Sequence, residues 1–335
     1  MSNPFPSISS TALETLVTEG LERVEALLEE SVRGASALAD EILSHLAQAG
    51  GKRLRPLLCL VCSFLGTDQL KEEVVKAGTV CELTHLASLY HDDVMDAAPA
   101  RRGVPSTQML WGNNRAILAG DVLFARASLL MVELGLESTR HHSRTFERLC
   151  FGQLHETFGP SDSDDPVDFY LQVLADKTGS LVAAAAFYGA LHGGAGTEIA
   201  HCVEAFGEKI GVAFQLADDV IDLTSPAEVS GKTPGTDLRE GVDTMPILLL
   251  RKRALEGTLD EPGQRILGLL GGDLSSDENL VEVVDLLARH EVVEETRALA
   301  RQWVQDGLDL LKPLPEGDVK RSLQDFAHLM VDRAS

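Results

Sequence analysis

The sequence predicts an all-α protein, one domain of about a dozen helices. Three observations carry that expectation. Apolar residues return at helical spacing along almost the whole chain. No stretch alternates at period two for long enough to make a convincing strand. Aromatic residues are sparse, at 5% of 335 residues.

Residues 1–10 read as a flexible tail, leaving 11–335 as the single helical domain. From Thr11 to about Ala49, leucines, valines and isoleucines recur at helical spacing with acids between them, and Gly34 divides two helices. Gly50-Gly51 stops the second, as glycine does at helix C-termini. Helical patterns then cover Pro56–Leu65, Lys71–Asp96, Thr107–Leu136 and His141–Phe158. They resume over Val167–Leu191, Glu198–Leu223, Pro246–Leu255, Gln264–Leu269, Asn279–His290, Glu294–Leu311 and Asp318–Arg333. The breaks carry turn chemistry: Gly159-Pro160, Gly193-Gly194 and the run from Pro226 to Gly235.

Composition narrows the function. An apolar share of 44% supports a sizeable core. A formal charge of −23 argues against nucleic acid and against docking on an acidic membrane surface, so an anionic substrate needs local cations or metal. The five cysteines are odd in number and irregularly placed, and Cys59 and Cys62 have no second C-x-x-C pair to make a zinc site. Reduced thiols and a cytoplasmic location are expected. No basic start followed by an apolar run is present, so no signal peptide is expected, and the longest apolar run, Leu181 to Leu191, falls well short of the roughly 20 residues of a transmembrane segment.

The chemistry concentrates in Glu82–Gly103. Asp92 and Asp96, within Asp92-Asp93-Val94-Met95-Asp96, lie one turn apart on one helix face. Two carboxylates at a helix C-terminus oppose the dipole and repel each other, an arrangement that suits a bound cation. Arg101 and Arg102 follow, and suit an anion. Asp218-Asp219-Val220-Ile221-Asp222 repeats the D-D-x-x-D spacing near the end of another helix. One such cluster is weak, since acidic helix ends are usually only solvated. Two, each after an apolar helix and before basic residues, point to magnesium completed by substrate phosphates. Lys52 and Arg55 stand at a helix start, Lys177-Thr178 inside an apolar helix, and Lys232 in the glycine-rich loop 231–237. His85 lies two turns before Asp92, whereas His91 reads as structural and His141-His142 as surface.

Together these residues resemble the trans-isoprenyl (polyprenyl) diphosphate synthases. The resemblance rests on G-G-K-R-L-R-P at 50–56, E-L-T-H-L-A-S-L-Y-H-D-D-V-M-D at 82–96, R-R-G at 101–103 and A-G-D-V-L-F-A at 119–125. It continues through G-Q at 152–153, K-T-G-S-L at 177–181, F-Q-L-A-D-D-V-I-D at 214–222 and G-K-T-P-G-T-D-L at 231–238. It implies helices around a deep central cavity, a homodimer, and three magnesium ions with substrate bound. Asp92, Asp96 and Asp218 would be direct metal ligands, and Asp93, Asp219 and Asp222 would act from behind them or through bound water. Arg101, Lys177, Thr178, Gln215 and Lys232 would hold an allylic diphosphate (farnesyl or geranylgeranyl). Lys52, Arg55, His85 and Arg102 would hold isopentenyl diphosphate.

In that family the product grows along the helix before the first acidic motif, and bulky residues there stop it. Here the positions are small: Ala87 and Ser88, then Thr84, Cys81 and Ala77. A long-chain product for quinone side chains is expected, with a short-chain farnesyl or geranylgeranyl synthase as the alternative and Leu129, Leu130, Met131 or Leu134 as a candidate tunnel floor. A class I terpene cyclase is disfavoured by the intact second D-D-x-x-D. A non-catalytic subunit of a heteromeric synthase is disfavoured because no site residue is missing, and a purely structural calcium-binding protein ranks last.

Overall fold

A computed structural model describes residues 11–34, 36–224, 235–239, 241–272 and 277–332. In chain order they form α1 (Thr11–Ser31), α2 (Ala37–Gln48), α3 (Leu54–Ser63), α4 (Glu72–Met95), β1 (Ala100–Arg101), β2 (Val104–Pro105), α5 (Thr107–Trp111), α6 (Asn113–Glu133) and α7 (Leu136–Phe158). Then follow α8 (Pro166–Leu174), a π-helical turn (Ala175–Gly179), α9 (Ser180–His192), α10 (Thr197–Thr224), α11 (Thr236–Arg239), α12 (Met245–Glu256), α13 (Glu261–Leu270), α14 (Asp277–Ala288), α15 (Glu291–Leu310) and α16 (Asp318–Asp332). The all-α expectation holds, apart from an antiparallel pairing of two-residue strands too short for alternation to register in the sequence.

Two predicted helices are interrupted. Gly112, at φ +83°, separates α5 from α6 inside the expected 107–136 helix. The π-helical turn separates α8 from α9 inside the expected 167–191 helix. Helical periodicity cannot see either break, because the apolar pattern runs on through both.

Packing groups the chain into two compact units. The first comprises the segments up to Glu147, Ser180–Gly207 and Leu310–Asp325. Its centre is α4, which buries residues on every side, among them Val75, Val80, Leu83, Leu86 and Tyr90. A helix apolar all round belongs in a core, and each large side chain buried there contributes about 1.5–3 kcal/mol. Helices α1, α3, α6 and α9 pack around it. The Tyr90 hydroxyl donates to the Ile42 carbonyl at 2.6 Å and ties α4 to α2. Helices α3 and α9 approach closely: a Cβ on Gly189 would lie 2.0 Å from the Cys59 carbonyl oxygen.

The second unit comprises Arg148–Gly179, Glu208–Asp309 and the chain from Phe326. Val220, Leu223, Ile247, Leu250, Val283 and Leu287 form one apolar core there. A second, with Leu174, Val212, Leu216 and Met245, seats α8, α10 and α12. Among the described residues no helix is long and apolar enough to cross a membrane. All five cysteines are free thiols; Cys59, Cys62 and Cys81 are buried, but Cys150 is exposed.

The histidine pair expected at the surface is interior. His141 stacks on Phe187 with ring centroids 4.2 Å apart and bonds Tyr188 and Glu204 at 2.9 and 2.6 Å. His142 is 6% exposed, and burial, with neighbouring His141, pulls its pKa to about 4. Both lie on the inward face of α7, with Ser138 and Thr145, while Glu137, Arg140 and Arg144 on its other side are exposed and give the segment its charged composition. Because the folded pKa lies below the ordinary 6.5, the unfolded chain takes up the proton first. Stability from neutral His142 is therefore complete above about pH 6.5 and is lost as pH falls toward 4, about 3 kcal/mol in all. His142→Leu should flatten the pH dependence of the unfolding free energy across that window; an unchanged slope in denaturant titrations would refute the assignment.

Candidate active site

In the first unit, α4 delivers the first acidic motif with its last turn. Asp96 caps the helix and its N–H donates to the Asp92 carbonyl at 2.8 Å, so the two carboxylates keep helical stacking as expected. Asp92 is half-buried and Asp96 exposed. Asp93 turns inward and is fully buried. Burial raises its pKa, while the Arg101 guanidinium opposes the rise by donating from Nε to Oδ1 at 2.7 Å.

The β1–β2 turn, with Arg102 at φ +55° and Gly103 at +77°, sends the two neighbouring arginines to different partners. Arg101 goes to Asp93. Arg102 donates to the Leu46 carbonyl at 2.9 Å, to the Gly50 carbonyl, and to the Glu82 carboxylate at 3.4 Å. Gly51, at φ +148°, makes room for it: a Cβ there would lie 2.8 Å from the Arg102 Cζ.

Arg53 had no assigned role, and its contacts explain why. Its guanidinium donates twice to Glu25, once to Glu82 at 2.8 Å, and to the Ala47 and Gly50 carbonyls at 3.1 and 3.3 Å. These contacts use all five of its N–H donors, so Arg53 holds the end of α2 against α4 and has none left for a ligand. Arg55 differs. Its Nε is buried with no hydrogen-bond partner among the described residues, and burial lowers its pKa against the opposing charge of Glu82. His85 is held far below its ordinary pKa by burial and then by Arg55, Arg102, Arg101 and Arg53. It is thus a neutral hydrogen-bonding group among guanidinium charges. Lys52 is exposed on the same loop.

The second acidic motif ends α10, in the second unit. Asp218 is half-buried. Asp219 is 5% exposed and its pKa is raised far by burial; the Met245 N–H donates to it at 3.2 Å and the Tyr170 hydroxyl at 3.0 and 3.1 Å. Asp222 accepts from the Asp237 N–H at 3.3 Å, and its carbonyl accepts from the Gly235 N–H at 2.9 Å, which fastens the start of α11. Lys177 and Thr178 sit in the π-helical turn, a device often found at functional positions. Lys177 pairs with Glu156, and Gly152 lets α7 lie against that turn, since a Cβ there would be 2.6 Å from the Lys177 nitrogen. Arg148 braces the same turn through Asp176 and Glu208, at 2.6 and 2.5 Å. Gln215 is half-buried on α10. Lys232 lies outside the described residues.

The donor set suits a hard cation. Asp92, Asp96, Asp218 and Asp222 offer oxygen only, and among the described residues no three metal-ligating side chains gather tightly enough to enclose an ion by themselves. On α4, Ala77, Cys81, Thr84 and Ala87 are fully buried and Ser88 half-buried. The candidate floor needs correction: Leu129 is 69% exposed and points away from the core, whereas Met131 and Leu134 are buried.

Sequence reading missed Glu82, Tyr170, Arg148 and Glu156. Only Glu82 carried a signal, as an acid inside an otherwise apolar stretch of helix.

The sequence profile of the polyprenyl synthetase family matches residues 36–286. The chain is 40% identical to the nonaprenyl diphosphate synthase of Mycobacterium tuberculosis over 320 residues, covering 95% of this chain and 93% of that one. It is 34% identical to heptaprenyl diphosphate synthase component 2 of Geobacillus stearothermophilus, covering 94% and 96%. Its fold matches the crystal structure of geranylgeranyl pyrophosphate synthase from Corynebacterium glutamicum, complexed with calcium and isoprenyl diphosphate, with a TM-score of 0.86 and 38% identity over 97% and 98% of the two chains. The chain belongs to the polyprenyl synthetase family.

Proposed function

We propose that the protein is a prenyltransferase that joins isopentenyl diphosphate head to tail, with trans geometry, to an allylic diphosphate, and that its product is a long-chain polyprenyl diphosphate of the kind used in quinone side chains. The observation that carries this reading is the build of the first acidic motif. Asp92 and Asp96 stack on the last turn of a buried helix, within one unit that also gathers Arg55, Arg101 and Arg102 around His85. Family membership supports the substrate class.

The residues divide into two grips. Arg101, Lys177, Thr178, Gln215 and Lys232 hold the allylic diphosphate, and Lys52, Arg55, His85 and Arg102 hold isopentenyl diphosphate. Asp92, Asp96, Asp218 and Asp222 would hold magnesium, which when bound would supply positive charge to offset that developing on the departing diphosphate. Arg101 and Lys177 donate to that diphosphate as the allylic carbon–oxygen bond breaks, where preorganised cations act most strongly. The alkene of isopentenyl diphosphate supplies the electrons for the new carbon–carbon bond. A proton then leaves to the released diphosphate, forming the new double bond. Apolar surroundings exclude water from the cationic stage.

Product length follows from α4. From Ala77 to Ala87 the small buried residues span about 15 Å of helix, a length comparable to several isoprene units. A homodimer completes the reading, supported by an apolar stripe on α6: Leu118, Val122, Leu129 and Val132 stand 62%, 39%, 69% and 63% exposed. Scattered apolar residues are ordinary on a surface, but a stripe along one helix suits an interface. A cytoplasmic location and one catalytic domain belong to the same reading.

Four measurements test these points. Purified protein with magnesium, labelled isopentenyl diphosphate and farnesyl or geranylgeranyl diphosphate should yield long-chain product. Asp92→Ala or Asp218→Ala should slow it by about 10² to 10⁴, and near-normal turnover in either would sink the metal assignment. Ala87→Phe should shorten the product; an unaltered product distribution would mean that this face does not line the growing chain. Leu129→Glu should shift the sedimentation mass from dimer to monomer, and a mass unaffected by the change would remove α6 as the interface.

A further inference from the structure

Glu82 is 2% exposed and sits mid-way along α4, ten residues before Asp92. The threonine and serine hydroxyls of this helix are satisfied by its own backbone. The Thr79 and Thr84 hydroxyls donate to the Val75 and Val80 carbonyls at 2.9 and 2.8 Å, and Ser88 donates to the His85 carbonyl at 2.8 Å. Glu82 has no such local partner. Its Oε1 accepts from Arg53 Nη1 at 2.8 Å and from Arg102 Nη2 at 3.4 Å. Arg53 is itself immobilised by its five contacts, so Glu82 is held from one side and holds Arg102 from the other.

We propose that Glu82 is a positioning residue for the isopentenyl diphosphate pocket: by bridging the saturated Arg53 to Arg102, it fixes the Arg102 guanidinium for an incoming diphosphate. The inference rests on the function proposed above. Two further observations bear on it. The remaining contacts of Arg102, to the Leu46 and Gly50 carbonyls, come from the chain leaving α2, which Arg53 also binds through the Ala47 and Gly50 carbonyls. One carboxylate therefore locks two guanidinium planes against one backbone segment. Arg55, buried beside them, gains from the same charge, since Glu82 is the foremost group opposing the effect of burial on Arg55. A glutamine at this position keeps the shape but carries one acceptor and an N–H₂ group that confronts a guanidinium donor with another donor. Arg102 would then lose its aim, while the acidic motifs and the allylic grip stay intact.

The test is a split of kinetic constants. With magnesium and saturating allylic diphosphate, Glu82→Gln should raise KM for isopentenyl diphosphate about tenfold, leaving kcat within about threefold and KM for the allylic substrate within about twofold. Glu82→Asp, which keeps the charge but draws it back by one methylene, should give a smaller rise in the same constant. Should the glutamine variant fail to fold, the aspartate variant carries the test alone. An unchanged KM for isopentenyl diphosphate would overturn the inference. So would a lowered one, which would mark Glu82 as a brake on anion binding, or equal rises in both KM values, which would mark a general structural role. If wild-type protein makes no product from these substrates, the proposed function fails; an active wild type beside an unaffected variant rejects the Glu82 inference alone.

Discussion

Between its two ends α4 is buried on every side, and a polar side chain there cannot reach solvent. Each such group must find a partner within the protein or destabilise the core by an unsatisfied bond, about 1–3 kcal/mol each. Threonines turn back on the helix itself. Tyr90 reaches α2, Glu82 reaches two arginines, and Asp93 reaches Arg101. The long-range bonds of α4 are therefore its structural ties to the surrounding elements, and two of them, to Arg102 and Arg101, end at groups of the candidate site. The core and the site are built from one set of contacts.

Charge places a second constraint. With 52 acidic against 29 basic residues, the chain as a whole repels anions. The first unit answers with a local reversal, in which Arg53, Arg55, Arg101 and Arg102 act together on His85. Like charges so close would drive one another apart without counter-charges, and Glu25, Glu82 and Asp93 supply them from buried or half-buried positions. Arg53 is thereby turned wholly to architecture, whereas Arg101, Arg55 and Arg102 keep donors suited to a diphosphate. Burial also makes these contacts less open to screening by salt than surface pairs would be.

Much of this was legible in the sequence, for a physical reason. A D-D-x-x-D spacing is local, and the 3.6-residue period alone stacks its first and last acids. The central place of α4 was visible in its run of small and apolar residues. What could not be read are partnerships between distant positions. Arg53 with Glu82, Tyr170 with Asp219, and Arg148 with Asp176 and Glu208 join residues 28 to 60 apart, on different helices. Composition also misled at His141-His142, where flanking charges resemble a surface but the imidazoles pack inside. Leu129 erred the other way, since its apolar character suggested a tunnel floor and its face of α6 is exposed.

The two acidic motifs share a division of labour that the spacing alone does not express. In each, the second aspartate is buried and bonded within its own unit, Asp93 to Arg101 and Asp219 to Tyr170 and the Met245 N–H. In each, the first aspartate is only half-buried. The third differs: Asp96 is exposed at the end of α4, whereas Asp222 also fastens Gly235 and Asp237 at the start of α11. A carboxylate that presents oxygens to a cation must itself be held still, and a helix end is the part of a helix most prone to fray. The inward aspartate opposes fraying by fixing the last turns to a neighbouring element, and burial of that carboxyl is the cost of fixing it. The doubled aspartate is thus one half-buried carboxylate and one buried carboxyl anchoring the helix that carries both, and the same local device occurs in both units.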